Sequence, residues 1–235
     1  MLDKKISFIK RTGIINDYLV ICDHSSNKIP PKYNNLCISK KIINSHRAFD
    51  IGASEVASEL SNLLECNLVM ANFSRLLIDP NRGYDDPTLI PKISEGEIIK
   101  GNLNISLLKN DKERNKRINN FYQPYHDQIS KFINIAFSEN KIPKILSIHS
   151  FTPIWKGKKR ETDIGILWDK DDRLSEIFLS SFNNSNIGNN KPYSGRLKND
   201  TLYRHATMRG LPHVLIELRQ DLSLIHISEP TRPYW

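Results

Sequence analysis

Long hydrophobic runs are missing from this 235-residue chain. No apolar stretch approaches the ~18–20 residues that cross a bilayer. The first residues, MLDKKISFIKRTG, lack both a continuous apolar core and a small-residue cleavage site, so no membrane span, signal peptide or anchor is expected. Cysteine is scarce. Cys22, Cys37 and Cys66 are an odd number without C-x-x-C spacing, which argues against a disulfide framework and a cysteine zinc site and suits a reducing cytoplasm. Internal repeats, coiled-coil heptads and low-complexity blocks are absent too.

Positive charge is the one bulk excess. Lys and Arg number 34 against 26 Asp and Glu, a net charge of +8. A nucleic-acid partner is still not expected. The lysines are dispersed, KGKKR (156–160) is the only tight basic cluster, and no zinc finger, aromatic RNA-binding motif or heptad-backed basic region accompanies it.

What is present is an alternation of buried strands and amphipathic helices. DYLVICDH (17–24), CNLVMANFS (66–74), RLLID (75–79), KILSIHS (144–150), DIGILWD (163–169) and HVLIELRQ (213–220) read as strands. Ala53, Val56, Ala57, Leu60, Leu63 and Leu64 recur at helical spacing, with Asp50 well placed as N-cap. Helices are also expected over 111–139, 172–182 and 201–210, the last closed by Gly210, with a long loop over 84–109. The length allows one sizeable core. The expected architecture is therefore a single α/β domain, a mixed and mostly parallel sheet with helices on both faces.

The polar residues cluster at strand ends. Asp23-His24, Asp79-x-Asn81-Arg82, His149-Ser150 and Glu217-x-Arg219 each follow or close an apolar run, and the carboxyl ends of parallel strands converge on one crevice. Imidazoles, carboxylates and arginines meeting there are the makings of a metal-assisted hydrolase. Taken singly, a strand-end histidine is more often structural. Glu217 is more telling, because a carboxylate inside VLIELR is either paired, with Arg219 the obvious partner, or functional. Cys22, although beside a histidine, reads as a small buried strand thiol.

In order and spacing, CDHSSNKIP, HRAFDIGA, SRLLIDPNRG, PYHDQI, SIHSFTP, NKPYSG and TLYRHATMRGLPHVLIELRQDL resemble the N-formylglutamate amidohydrolase family over roughly residues 15–222. The resemblance implies a compact fold similar to that of zinc carboxypeptidases and amino-acid deacylases. It also implies hydrolysis of the amide of a small acidic N-acyl amino acid, N-formyl-L-glutamate first, at a zinc or other divalent metal. By the same resemblance His24 and His149 are metal ligands, Glu217 is the general base, and Asn81 and Arg82 clamp a substrate carboxylate. The metal or Arg75 would polarise the acyl oxygen, and with a dicarboxylate substrate Arg219 would serve the second carboxylate. Asn27 stands where the relatives carry a ligating Glu, and a neutral amide is a poor zinc ligand. The third ligand is thus open among Asn27, Asp23 and Asp50, with Asp50 favoured of the three and its reading as a helix cap equally open. A deacylase of another N-acyl amino acid, or an inactive ligand-binding relative, remains the alternative. The amidohydrolase domain is expected to span residues 1–222. The tail 223–235, SLIHISEPTRPYW, is interrupted by Pro230 and Pro233 and is expected to be disordered, with few core contacts.

Overall fold

A computed structural model describes residues 2–106, 108, 110–181 and 186–222; the expectations for residues 223–235 therefore lie outside the described residues. One eight-stranded sheet organises the chain. Its strands are β1 (Leu2–Lys4), β2 (Phe8–Arg11), β3 (Ile15–Cys22), β4 (Cys66–Ala71), β5 (Lys144–Phe151), β6 (Ile164–Leu167), β7 (Ile187–Asn189) and β8 (His213–Arg219). Their order is β1-β2-β4-β3-β5-β8-β6-β7. The central four, β4, β3, β5 and β8, run parallel. The flanks reverse direction, β2 antiparallel to β4 and β6 antiparallel to β8. The sheet is mixed, with a parallel centre, as expected.

Strand alternation divides the core into two layers. Leu19, Ile21, Val69 and Ala71 face one cluster and Val20, Cys22, Leu68 and Met70 the other. Helix α1 (Ala53–Leu63) packs Ala53 and Ala57 into the second layer, and Leu174 joins it from a later helix, Arg173–Ser181. On the opposite face lies the long helical segment over 112–138. It begins as α2 (Lys112–Arg117), widens to a π-helical turn over Ile118–Tyr122, and continues as α3 (Gln123–Ser138). Pro124 accounts for the widening, because its ring cannot donate to the carbonyl four residues back and crowds it. Tyr125, Ile129, Phe132 and Ile133 of α3 fill the first layer.

Two local expectations are corrected. RLLID is not a strand but a turn, although Leu76, Leu77 and Ile78 are fully buried. The carbonyls of Leu76 and Leu77 accept from Asn102 Nδ2 (2.8 Å) and Arg117 Nη1 (2.8 Å), so side chains supply what a strand ladder otherwise would. Asp50 does not cap α1 either. Gly52 takes the N-cap at φ 81°, a left-handed conformation that suits glycine, and makes no side-chain cap. The Asp50 carboxylate is left for other partners. The helix expected over 201–210 is shorter, α-helical over Thr201–His205 and 3-10 over Thr207–Arg209, with Gly210 closing it as expected. The 84–109 loop contains a two-residue hairpin, Ile93–Ser94 against Glu97–Ile98. Among the described residues, no helix is long and apolar enough to cross a membrane.

Candidate active site

The parallel strand ends open on a cavity of about 530 Å³ lined by His24, Asp50, Arg75, Asn81, His149 and Glu217, among others. His24 follows β3 directly. His149 lies near the end of β5 and faces Glu217 of β8 across the parallel ladder. Asp50 is brought in from before α1, its N–H donating to the His24 carbonyl at 2.8 Å.

His24, Asp50 and His149 form a buried trio whose potential ligand atoms lie within 4.8 Å of one another. Asp50 Oδ2 is 2.9 Å from His149 Nδ1 and 3.4 Å from His24 Nδ1. Each ring turns its other nitrogen to a second carboxylate: His24 Nε2 to Asp79 Oδ1 at 2.7 Å, His149 Nε2 to Asp23 Oδ2 at 3.2 Å. His24 Nδ1 is buried with no hydrogen-bond partner. A divalent cation fits this donor set. Nδ1 atoms converge on one carboxylate, and the outer carboxylates hold each ring's orientation and tautomer.

The charges support one another. Burial alone raises Asp50, but the His24 and His149 imidazoles overcome it and hold the carboxyl well below its ordinary range. Burial likewise works against a charged His149, and hydrogen bonds to Asp23 and Asp50 outweigh it, so that its pKa rises well above the ordinary value. A metal held by His149 would take the place of a proton on that ring.

Glu217 is different in kind. Burial pushes its carboxyl up to about 7, and its Oε2 is buried without a partner. Gly165 on β6 keeps the space beside it open; a Cβ there would stand 3.3 Å from the Glu217 Cβ and 2.3 Å from the Lys191 carbonyl oxygen. Asp200 also lines the cavity and is pushed up to about 7 by burial, but its carboxylate caps Thr201–His205 by accepting from Tyr203 N–H at 2.7 Å. Of the two raised carboxyls, Glu217 is the one opposite the histidine cluster.

Arg75 spans the trio and its support, with Nη1 3.3 Å from Asp50 Oδ1 and Nη2 3.2 Å from Asp79 Oδ2. Asn81 and Arg82 also line the cavity. Asn81 is positioned by its N–H to Asp79 Oδ1 (2.9 Å) and by accepting from Thr201 N–H (3.0 Å). Arg82 is anchored through Nε to Thr88 Oγ1 and Nη1 to the Asn81 carbonyl.

Arg219 is not brought to the site. It pairs with Asp163 and Asp221, is absent from the cavity wall, and among the described residues makes no ion pair with Glu217. Asn27 also points away, donating to Asn44 Oδ1 at 3.0 Å. Asp23 accepts from Tyr125 Oη–H (2.8 Å) and Thr201 Oγ1–H (2.7 Å) and meets His149 Nε2, on the other side of that ring from Asp50. The supporting roles of Asp23 and Asp79 were not legible as such. Their only local sign was adjacency, Asp23 before His24 and Asp79 two residues before Asn81.

Parallel strand ends converging on a buried His–Asp–His cluster define an α/β protein with an acid–imidazole centre. Over residues 16–224 the chain matches the model of a family described as N-formylglutamate amidohydrolase. The chain belongs to that family, whose name is that of an amide-hydrolysing enzyme. Among solved structures, a gene product of Agrobacterium tumefaciens is 35% identical, with a TM-score of 0.85 over 93% of this chain and 86% of that one. An N-formylglutamate amidohydrolase from Ralstonia eutropha shares the fold at 20% identity, with a TM-score of 0.63 over 93% and 87% of the two chains. No curated protein sequence matches the chain.

Proposed function

We propose that this chain hydrolyses the amide of a short acidic N-acyl amino acid, N-formyl-L-glutamate to formate and glutamate, at a divalent metal centre, zinc first. The observation that carries the proposal is the His24–Asp50–His149 trio with Glu217 opposite His149, its Oε2 buried without a hydrogen-bond partner. His24, Asp50 and His149 would hold the metal, which when bound supplies Lewis acidity toward the acyl carbonyl and eases loss of a proton from water.

Glu217 takes a proton from the attacking water and returns it to the leaving nitrogen, and its value of about 7 suits a group that must do both near neutrality. The water oxygen bonds to the formyl carbon, the carbon–nitrogen bond breaks, and the amine leaves protonated. Arg75 donates to the acyl oxygen. Asn81 and Arg82 hold the α-carboxylate, for which a planar guanidinium is the better match. The free thiols Cys22, Cys37 and Cys66 suit a reducing compartment, and we place the reaction in the cytoplasm.

A panel of N-formyl, N-acetyl and longer N-acyl amino acids, assayed for free amine, tests the reading. N-formyl-L-glutamate is expected to give the highest kcat/KM. A preference for another acyl group would move the chain to a different deacylase activity, and no turnover of any member would contradict hydrolysis.

A further inference from the structure

With Arg219 committed elsewhere, another basic pair faces the cavity. His46 and Arg47 line the same wall system as Asn81, Arg82 and Glu217. Arg47 lies three residues before Asp50, and the Ala48 carbonyl between them accepts from Ser74 Oγ (2.9 Å) and Arg75 N–H (3.2 Å). The segment thus holds Arg47 at a fixed offset from the histidine trio. What meets this pair is a carboxylate. Glu95 Oε2 sits 2.8 Å from His46 Nε2 and 3.6 Å from Arg47 Nε. The second distance is too long for a hydrogen bond. Arg47 Nε is nevertheless screened from solvent and has no hydrogen-bond partner. Glu95 itself comes from the turn of the exposed Ile93–Ser94/Glu97–Ile98 hairpin, with φ 47° at Glu95 and 83° at Gly96. A desolvated guanidinium donor next to an imidazole, served incompletely by an acid from an outlying hairpin, is a carboxylate site whose resident does not fill it.

Resting on the function proposed above, we propose that His46 and Arg47 form the subsite for the substrate's second, distal carboxylate, and that Glu95 is an internal stand-in which that carboxylate displaces. The site then reads a dicarboxylic amino acid with two separate clamps, Asn81-Arg82 for one end and His46-Arg47 for the other. Glu95 tempers the affinity only of ligands that carry an acidic side chain, because only these must displace it.

Equilibrium binding of L-glutamate and L-glutamine by calorimetry tests this, because the two ligands differ only at the distal group. Arg47→Gln is expected to weaken glutamate roughly tenfold or more and glutamine less than about twofold. His46→Gln moves glutamate in the same direction and gives a second readout if the Arg47 variant does not fold. Glu95→Gln tightens glutamate several-fold, since it removes the competing charge. Equal weakening of both ligands by Arg47→Gln, weaker glutamate binding by Glu95→Gln, or no binding of glutamate to the unmodified chain would each overturn the subsite. The measurement involves no turnover. A chain that binds glutamate through Arg47 but releases no formate from N-formyl-L-glutamate would contradict the hydrolysis and leave the subsite standing.

Discussion

Glu217 of β8 stands directly across the parallel ladder from His149 of β5, which sets an acid with a pKa of about 7 beside an imidazole of the buried trio. Neighbouring strands lie ~4.8 Å apart, so the pair is positioned by the sheet itself and not by a loop. The hydrogen bonds reinforce this separation of roles. His149 is held by carboxylates on both sides and His24 by Asp79 through Nε2, whereas no hydrogen bond engages Glu217 Oε2.

Glu217→Gln keeps the shape and removes the base. The expected result is a fall in kcat of roughly 10²–10⁴-fold, with metal content and glutamate affinity nearly unchanged. Near-normal kcat in this variant would make Glu217 a structural residue.

Arg82→Lys tests the α-carboxylate clamp. A point charge cannot reproduce the guanidinium fork, so KM for N-formyl-L-glutamate should rise while kcat holds, the pattern of lost uniform binding. The substrate's α-amide should be poor for the unmodified chain and insensitive to the change. Normal discrimination between acid and amide in the variant would place the clamp elsewhere.

The general architecture was legible because periodicity and strand-end chemistry are local properties. His24, His149, Asn81 and Arg82 each sit where an apolar run meets polar residues, and the structure collects all four on one cavity. The failures arose where tertiary partners override local signals. Leu76 and Leu77 looked like a strand because they are apolar, yet Asn102 and Arg117, far along the chain, satisfy their carbonyls. Asp50 reads from sequence both as a cap and as a ligand, and only the cap reading fails: Gly52 starts the helix and leaves the carboxylate to His149. Arg219 shares a strand with Glu217, and nothing in VLIELR reveals that Asp163 and Asp221 engage it. The edge strands β1, β2 and β7 are too short to announce themselves by alternation.

A pair of buried histidines behind the site predicts an acid-sensitive fold. His205 Nε2 and His126 Nδ1 are 2.8 Å apart, and His126 Nε2 reaches the Pro80 carbonyl at 3.1 Å. With His126 donating to Pro80, His205 donates to His126, and both rings are neutral. Burial lowers His205 to about 3, and burial with the neighbouring His205 puts His126 well below its ordinary value. The unfolded chain binds protons at these residues as pH falls through ~6.5, while the folded chain does not. Stability from the pair is therefore full above ~6.5 and declines as pH drops toward the folded values, by up to about 1.4 kcal/mol per pH unit for each histidine. Denaturant melts of the unmodified chain and of His205→Asn at pH 7, 6 and 5 check this. The variant should lose part of the pH dependence, and an unchanged slope would contradict a neutral buried pair.

The central claim is that His24, Asp50 and His149 hold a metal on which amide hydrolysis depends. Formate release from N-formyl-L-glutamate, followed in one preparation as purified, after chelation to zero metal by elemental analysis, and after return of zinc, tests it most directly. The account predicts loss of activity on chelation and its recovery with zinc, and no recovery in His149→Ala carried through the same cycle. Unchanged formate release by the metal-free chain would contradict it.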